Sequence, residues 1–292
     1  MSTQTTPAST PAPARSRDGS GLNFGRVLHS EWIKVTTLPS TVILLSVTLV
    51  VMVGLAALVA WSWATTAQMI SDDPAMAPAM GVAPEMDLQA LVYDTPASGV
   101  LFGQLLIAAL AVVLVASEYS TGMIRSTMVA VPTRTPALLA KAIIIALVAF
   151  VIGVAGAFAS YLISQPLLAP ENLDFGLDAP WVLPSIINTG TLLAGIAIMG
   201  VATGSLLRST AGGIVTIIGV LFVLPVIIQL ISGLADWIPD AARFLPSNAG
   251  TQLVATNIAD GALNQLEGGL VLGGWAVVLL VVAMIVTKRR DV

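Results

Sequence analysis

A chain of 292 residues with 56% hydrophobic and only 10% charged residues, and a mean hydropathy of +0.92, is not an ordinary soluble domain, because those carry roughly 25% charged residues. The net charge of −4 sums segments of opposite sign, and no basic stretch interleaves with aromatics, which argues against nucleic acid as a partner. Cysteine is absent and histidine occurs once, so disulfides, thiolate chemistry and a transition-metal set are excluded.

In chain order, residues 1–21 are dominated by Pro, Thr, Ser and Ala and lack the apolar core of a secretory signal. They read as a disordered cytoplasmic tail. In 22–38, Phe24, Val27, Leu28, Trp32 and Val35 recur near helical spacing, while Arg26, His29, Glu31 and Lys34 face elsewhere. This pattern predicts a helix lying in the membrane interface, with Trp32 at headgroup depth and His29 as an interfacial polar residue. Pro39 is expected to break that helix and Ser40 to cap the next.

Residues 39–292 then form one membrane domain. Its apolar content comes in long runs without period-2 alternation, so helices are expected and not a barrel. Six runs stand out: about Thr41–Trp63, Gly99–Ala116, Ala142–Ile163, Leu183–Leu206, Gly212–Leu234 and Gly269–Thr287. Each approaches the roughly 20 residues that cross a hydrocarbon core. With the N-terminus inside, eleven of the twelve Lys and Arg residues fall in inner segments, Arg243 being the exception. That bias places both termini in the cytoplasm. Twelve of the sixteen acids then lie outside, in agreement.

Small-residue pairs mark close helix contacts: Gly200 with Gly204, Gly269 with Gly273, and Gly153 with Ala157. Spacing does not distinguish an intrachain seam from a dimer seam. Pro225 predicts a kink in the fifth span. No ionisable residue lies deep within any run, which argues against a self-powered, ion-coupled carrier. The neutral polar residues Gln104, Ser160, Asn188, Thr191, Thr203, Thr216 and Gln229 are expected to bond between helices. Phosphate-cradling, nucleophile-elbow and metalloprotease motifs are all lacking, so the chain reads as non-catalytic and as holding no cofactor of its own.

The inner segment Ser117–Lys141 is the most ordered in composition. A carboxylate at Glu118 is disfavoured at the end of the second span, where the helix dipole is negative, and favoured in the first turn of a new helix capped by Ser117. Tyr119, Met123, Thr127 and Val131 would then share a stripe, Arg125 would turn away, and Pro132 would end the helix. Spacing alone leaves two readings open: a docking surface for a partner, or an inner loop with a snorkelling helix.

The pattern Glu118-x-x-x-Gly122-Met123-Ile124, followed by Pro132-x-Arg134, resembles the first cytoplasmic loop of type-2 ABC export permeases. Those typically read Glu-x-x-x-Gly-Thr, an apolar stretch, then Pro-x-x-Arg. The resemblance covers nearly the whole chain, and Ser30-Glu31-Trp32-x-Lys34, Glu118 to Arg125 and Leu245-Pro246-Ser247-Asn248-Ala249-Gly250 look most like its actinobacterial branch. Met123 departs from the usual Thr, and Pro132-Thr133-Arg134 is one residue tighter than the usual spacing.

The resemblance implies an all-α membrane protein with six transmembrane helices, an N-terminal interfacial elbow helix, a cytoplasmic coupling helix and short outer helices before the last span. It implies two permease chains, as homodimer or heterodimer, bound to two separate ATPase subunits that hold ATP and magnesium. Glu118, Tyr119, Gly122, Met123, Arg125 and Arg134 would be the coupling residues. His29, Glu31, Trp32 and Lys34 would belong to the elbow, and Trp237, Phe244, Leu245, Pro246 and Asn248 to an outer gate. The expected function is ATP-driven, multidrug-type export of a hydrophobic or amphipathic molecule across a bacterial plasma membrane, in contact with its lipids. A non-transporting receptor or scaffold, or a self-contained carrier, are the alternatives. Cargo is not legible, since one fold serves many substrates.

Overall fold

A computed structural model describes residues 23–83, 87–122, 135–258 and 261–289. Among these the structure is helical without strands. The helices are α1 (Phe24–Thr37), α2 (Pro39–Asp72), α3 (Leu88–Val92), α4 (Val100–Ser120), α5 (Thr135–Leu168) and α6 (Val182–Leu207). The fifth span follows as α7 (Thr210–Ile218), a π-helical turn (Gly219–Val223) and α8 (Leu224–Ile231). Two short helices, α9 (Trp237–Ala242) and α10 (Pro246–Val254), precede α11 (Gln265–Arg289). Six of these stretches are long and apolar enough to cross a membrane. The chain is a multi-pass helical membrane protein.

The helices outrun the hydropathy-based boundaries. α2 continues past Trp63 to Asp72, until Asp73 turns extended and caps a short turn at Pro74. Pro39 does not merely break α1; it occupies the first turn of α2, where its missing N–H costs nothing. Leu38 is the junction residue and Ser40 lies inside the helix, so the expected Ser40 cap is not used.

α4 and α6 form the centre, and the other spans pack around them. Ile107, Ala108, Ala111, Leu193, Ile196 and Met199 are almost wholly buried there. A Cβ on Gly200 would lie 2.7 Å from the Ala111 Cβ and 2.9 Å from the Ala108 carbonyl, and one on Gly204 would lie 3.1 Å from the Val112 carbonyl. The first small-residue pair is therefore an intrachain seam between α6 and α4. Gly153 meets the backbone of Gly190 in the same way, joining α5 to α6. The other pair divides: Gly269 faces Leu253, whereas nothing lies within 4 Å of a Cβ on Gly273.

α2, the fifth span and α11 are peripheral and expose apolar surface, including Val50, Val215, Leu230 and Val277. The expected kink at Pro225 coincides with a break in the regular α-helical pattern: the turn before it, Gly219–Val223, is π-helical, and Pro225 stands in the first turn of α8. Of the neutral polar residues, Asn188 bonds between helices, giving its amide to the Leu253 carbonyl (3.0 Å) and to Gln265 Oε1 (3.1 Å). Thr203 instead bonds its own helix at the Met199 carbonyl, and Gln104 Oε1 and Ser160 Oγ are buried without partners among the described residues.

The end of the bundle that carries α1 is called basal below, and the opposite end distal. At the distal end, Asp94 accepts from the Thr256 amide and hydroxyl, both at 2.7 Å, and Asn257 donates to the Ala90 carbonyl at 2.7 Å. These bonds tie the segment after the first span to the segment before the last.

Gly200→Val is expected to lower stability by about 1–3 kcal/mol through overpacking against α4, whereas Gly273→Val should leave it unchanged. Thermal unfolding of both variants in detergent checks this contrast.

Candidate functional site

At the basal end, α1 lies against the start of α5. Val27 packs with Ala137 and Ala140, and Val35 joins the main core. Val27, Glu31 and Val35 are the buried positions of α1, one helical turn apart. Glu31 thus sits in the middle of the packed face and not among outward-facing polar residues, while Trp32 is 42% exposed and His29 is exposed.

The reason for burying a carboxylate there is a closed ring of four charges. Lys34 Nζ donates to Glu31 Oε1 (2.7 Å) and to Glu118 Oε1 (2.9 Å). Lys141 Nζ donates to Glu31 Oε2 (2.6 Å) and to Glu118 Oε1 (2.8 Å). Positive and negative groups alternate around the ring, which is neutral overall. The side chains of Glu31, Glu118 and Lys141 are 4, 8 and 9% exposed, and that of Lys34 is 29% exposed. Charges so withdrawn from water are tolerable only when paired and hydrogen-bonded. Here each ammonium meets two carboxylates.

Burial opposes the charge on Lys34, but its hydrogen bonds to Glu31 and Glu118 outweigh that effect and hold its pKa above the usual lysine value. The resulting stabilisation is complete below roughly pH 10 and is lost only as pH rises through the raised pKa. Lys34 therefore keeps its charge at neutral pH.

Glu118 reaches the ring from the last turn of α4, and not from the first turn of a new helix. Ser117 is not an N-cap; its carbonyl accepts from the Thr121 amide and from the Ser120 and Thr121 hydroxyls. Gly122, at φ +73°, supplies the left-handed residue that commonly stops a helix. The Glu-x-x-x-Gly spacing is thus a helix ending. The unfavourable dipole at Glu118 is offset by the two lysines, which hydropathy and local spacing do not bring together. Tyr119, the next residue, carries the Arg208 guanidinium over its ring at 5.1 Å, adding the turn between α6 and α7 to the same end.

The site therefore unites Glu31, Lys34, Glu118 and Tyr119 with Lys141 and Arg208, which were not among the sequence candidates. Gly122 closes α4 beside them. Met123, Arg125 and Arg134, with the expected coupling helix, lie outside the described residues. Both described ends of that connector, α4 and the start of α5, are rooted in the charge ring.

The distal candidates do not converge on one point. Asn248 donates to the Ala242 carbonyl (2.9 Å) and braces α10 against α9. Pro246 is buried in the first turn of α10, and Leu245 precedes it as the cap residue. The Phe244 carbonyl accepts from Trp275 Nε1 (2.9 Å), whereas Trp237 is 68% exposed. Among the described residues, no group of three or more His, Asp or Glu side chains is placed to hold a metal ion. Comparison with protein-family models and with curated proteins gives no match.

Lys141→Met leaves two buried carboxylates with one ammonium and is expected to destabilise the protein by about 3–5 kcal/mol. Glu118→Leu combined with Lys141→Met restores neutrality and should recover most of that loss. Melting temperatures of the single and double variants, compared with the parent, decide whether the ring acts as one unit.

Proposed function

We propose that this chain is the membrane-spanning permease subunit of an ATP-driven exporter of the type-2 ABC kind. In this reading a separate ATPase subunit supplies hydrolysis, and the chain, paired with a second permease copy, moves a hydrophobic or amphipathic molecule outward. α1 is the elbow helix at the inner interface of a bacterial plasma membrane, and the connector 123–134 is the coupling element. The charge bias of the sequence supports cytoplasmic termini on this view.

The observation that carries the proposal is the charge ring. A push on the connector from outside the membrane acts on the ends of α4 and α5. Because Glu118 and Lys141 bond to each other and to α1, those ends are suited to move together with α1 and not independently. Such a link is useful where force enters at one end of a bundle. The sequence places no ionisable residue deep within the six apolar runs, which supports an external energy source, since coupling ions are usually carried by such groups.

Purification of the tagged full chain from its native membrane in mild detergent is expected to bring down a nucleotide-binding subunit, with ATP turnover in lipid. Met123→Asp should reduce that turnover at least about tenfold, roughly 1.4 kcal/mol of coupling, while leaving the melting temperature of the chain unchanged. Recovery of the chain without an ATPase, or equal turnover in the variant, counts against the proposal. ATP-dependent accumulation of an amphipathic dye in inside-out vesicles separates a transporter from a scaffold.

A further inference from the structure

At the distal end, the fifth span and the α9–α10 pair do not close on each other. They leave a cavity of about 460 Å³, within the range of small-molecule sites. Gln229 and Ser232 enter it from a single stripe that begins at Pro225. Arg243 and Gln252 enter from the α9–α10 side.

The lining has unmet hydrogen-bonding capacity. Ser232 satisfies itself on the Gln229 carbonyl, and Thr251 on that of Ser247. No bond engages the Gln229 amide among the described residues, although it stands on a membrane-spanning helix beside Leu230, which is 80% exposed. Among the described residues, Gln252 Oε1 is shut off from solvent without a donor, and Arg243 Nε without an acceptor. The Arg243 guanidinium has one hydrogen bond among the described residues, at 3.3 Å to the Gly261 carbonyl. The Asp240 carboxylate, at 3.9 Å and 75% exposed, is too far for a hydrogen bond and leaves terminal guanidinium capacity in hand. Glu267, in the adjoining cavity, already accepts from the Asn264 amide.

These features specify a ligand. Arg243 and the Gln229 amide offer donors to an anionic head, and a guanidinium matches phosphate in shape. Gln252 Oε1 requires a donor such as a hydroxyl, which a turn of its side chain would reach. Leu230, Leu234 and Trp237, each within two residues in sequence of a lining position, are exposed and offer surface suited to hydrocarbon and headgroup contact. We propose that this cavity binds a phosphate-headed amphipath with a hydroxyl on its head, the phosphate on Arg243 and Gln229 and the hydrocarbon along the exposed side of α8. The inference needs the membrane setting but no ATPase partner, so it stands or falls apart from the exporter reading.

The test is native mass spectrometry of the full chain with phosphatidylglycerol or phosphatidylcholine of matched acyl chains, the latter lacking a head donor. Phosphatidylglycerol should bind at least about tenfold more tightly. Arg243→Gln and Gln252→Leu, each checked for an unchanged elution profile, should each remove about tenfold, as expected for loss of a charge-assisted or otherwise unpaired buried contact. Equal retention of both lipids, or retention unaffected by both variants, would overturn the proposal. Displacement of the lipid by millimolar glycerol 1-phosphate would overturn the amphipath and assign the site to a soluble phosphate ester.

Discussion

Two carboxylates and two ammonium groups, largely withdrawn from water, close on one another at the basal end, and the arrangement of the helices there follows from keeping that ring closed. Each ion loses several kcal/mol of hydration when buried, and no single partner in the ring would repay it. Glu31 uses both carboxylate oxygens, one for each lysine, and Glu118 accepts both lysines on one oxygen. The partners lie 84, 110 and 23 residues apart in sequence. Closure therefore fixes α1, the end of α4 and the start of α5 in a single relation. The apolar contacts of Val27 and Val35 follow the same geometry, since they stand one turn on either side of Glu31.

The rest of the bundle is held differently. α4 and α6 approach closely enough that Gly200 has no room for a side chain and Gly204 little, and α5 meets α6 through Gly153 and Gly190. In lipid, where apolar surface gains little by leaving its surroundings, such close backbone contact supplies the packing. The distal end has neither charge ring nor glycine seam across the fifth span. It relies on separate hydrogen bonds, Asp94 with Thr256 and Asn188 with Leu253 and Gln265. The π turn ahead of Pro225 and the cavity beside α8 lie where this bonding is thinnest. One end is cross-linked by charge, and the other is open enough to hold a ligand.

The six spans were legible because a run of about twenty apolar residues has few other uses. Their ends were not, because helices continue through polar residues until a residue such as Asp73 or Gly122 turns the backbone. Hydropathy marks the lipid, not the helix. The α6–α4 seam was visible as Gly200 and Gly204, but identical spacing at Gly269 and Gly273 yields one packed and one open glycine. Spacing shows which face is thin without showing what covers it. The ring left a partial trace. Glu118 stood out as a carboxylate against a helix dipole, and the local remedy of a new helix was the wrong one. The actual remedy came from Lys34 and Lys141, which in sequence are indistinguishable from ordinary basic residues flanking a span.

That misplacement also bears on what Glu118 contributes. As the start of a free helix it would be one surface charge among several, worth a fraction of a kcal/mol. In the last turn of α4 the dipole acts against it, and its ionised form is sustained by Lys34 and Lys141 together. A displacement that parts α4 from α5 breaks the bond to Lys141, and one that lifts α1 breaks the bond to Lys34. Either leaves the Glu118 carboxylate with one lysine where it had two, in a poorly hydrated place at the end of its own helix. The elements around the ring are consequently more stable moving as one body than sliding past each other. Gly122 is attached to that body and not to a loose helix end.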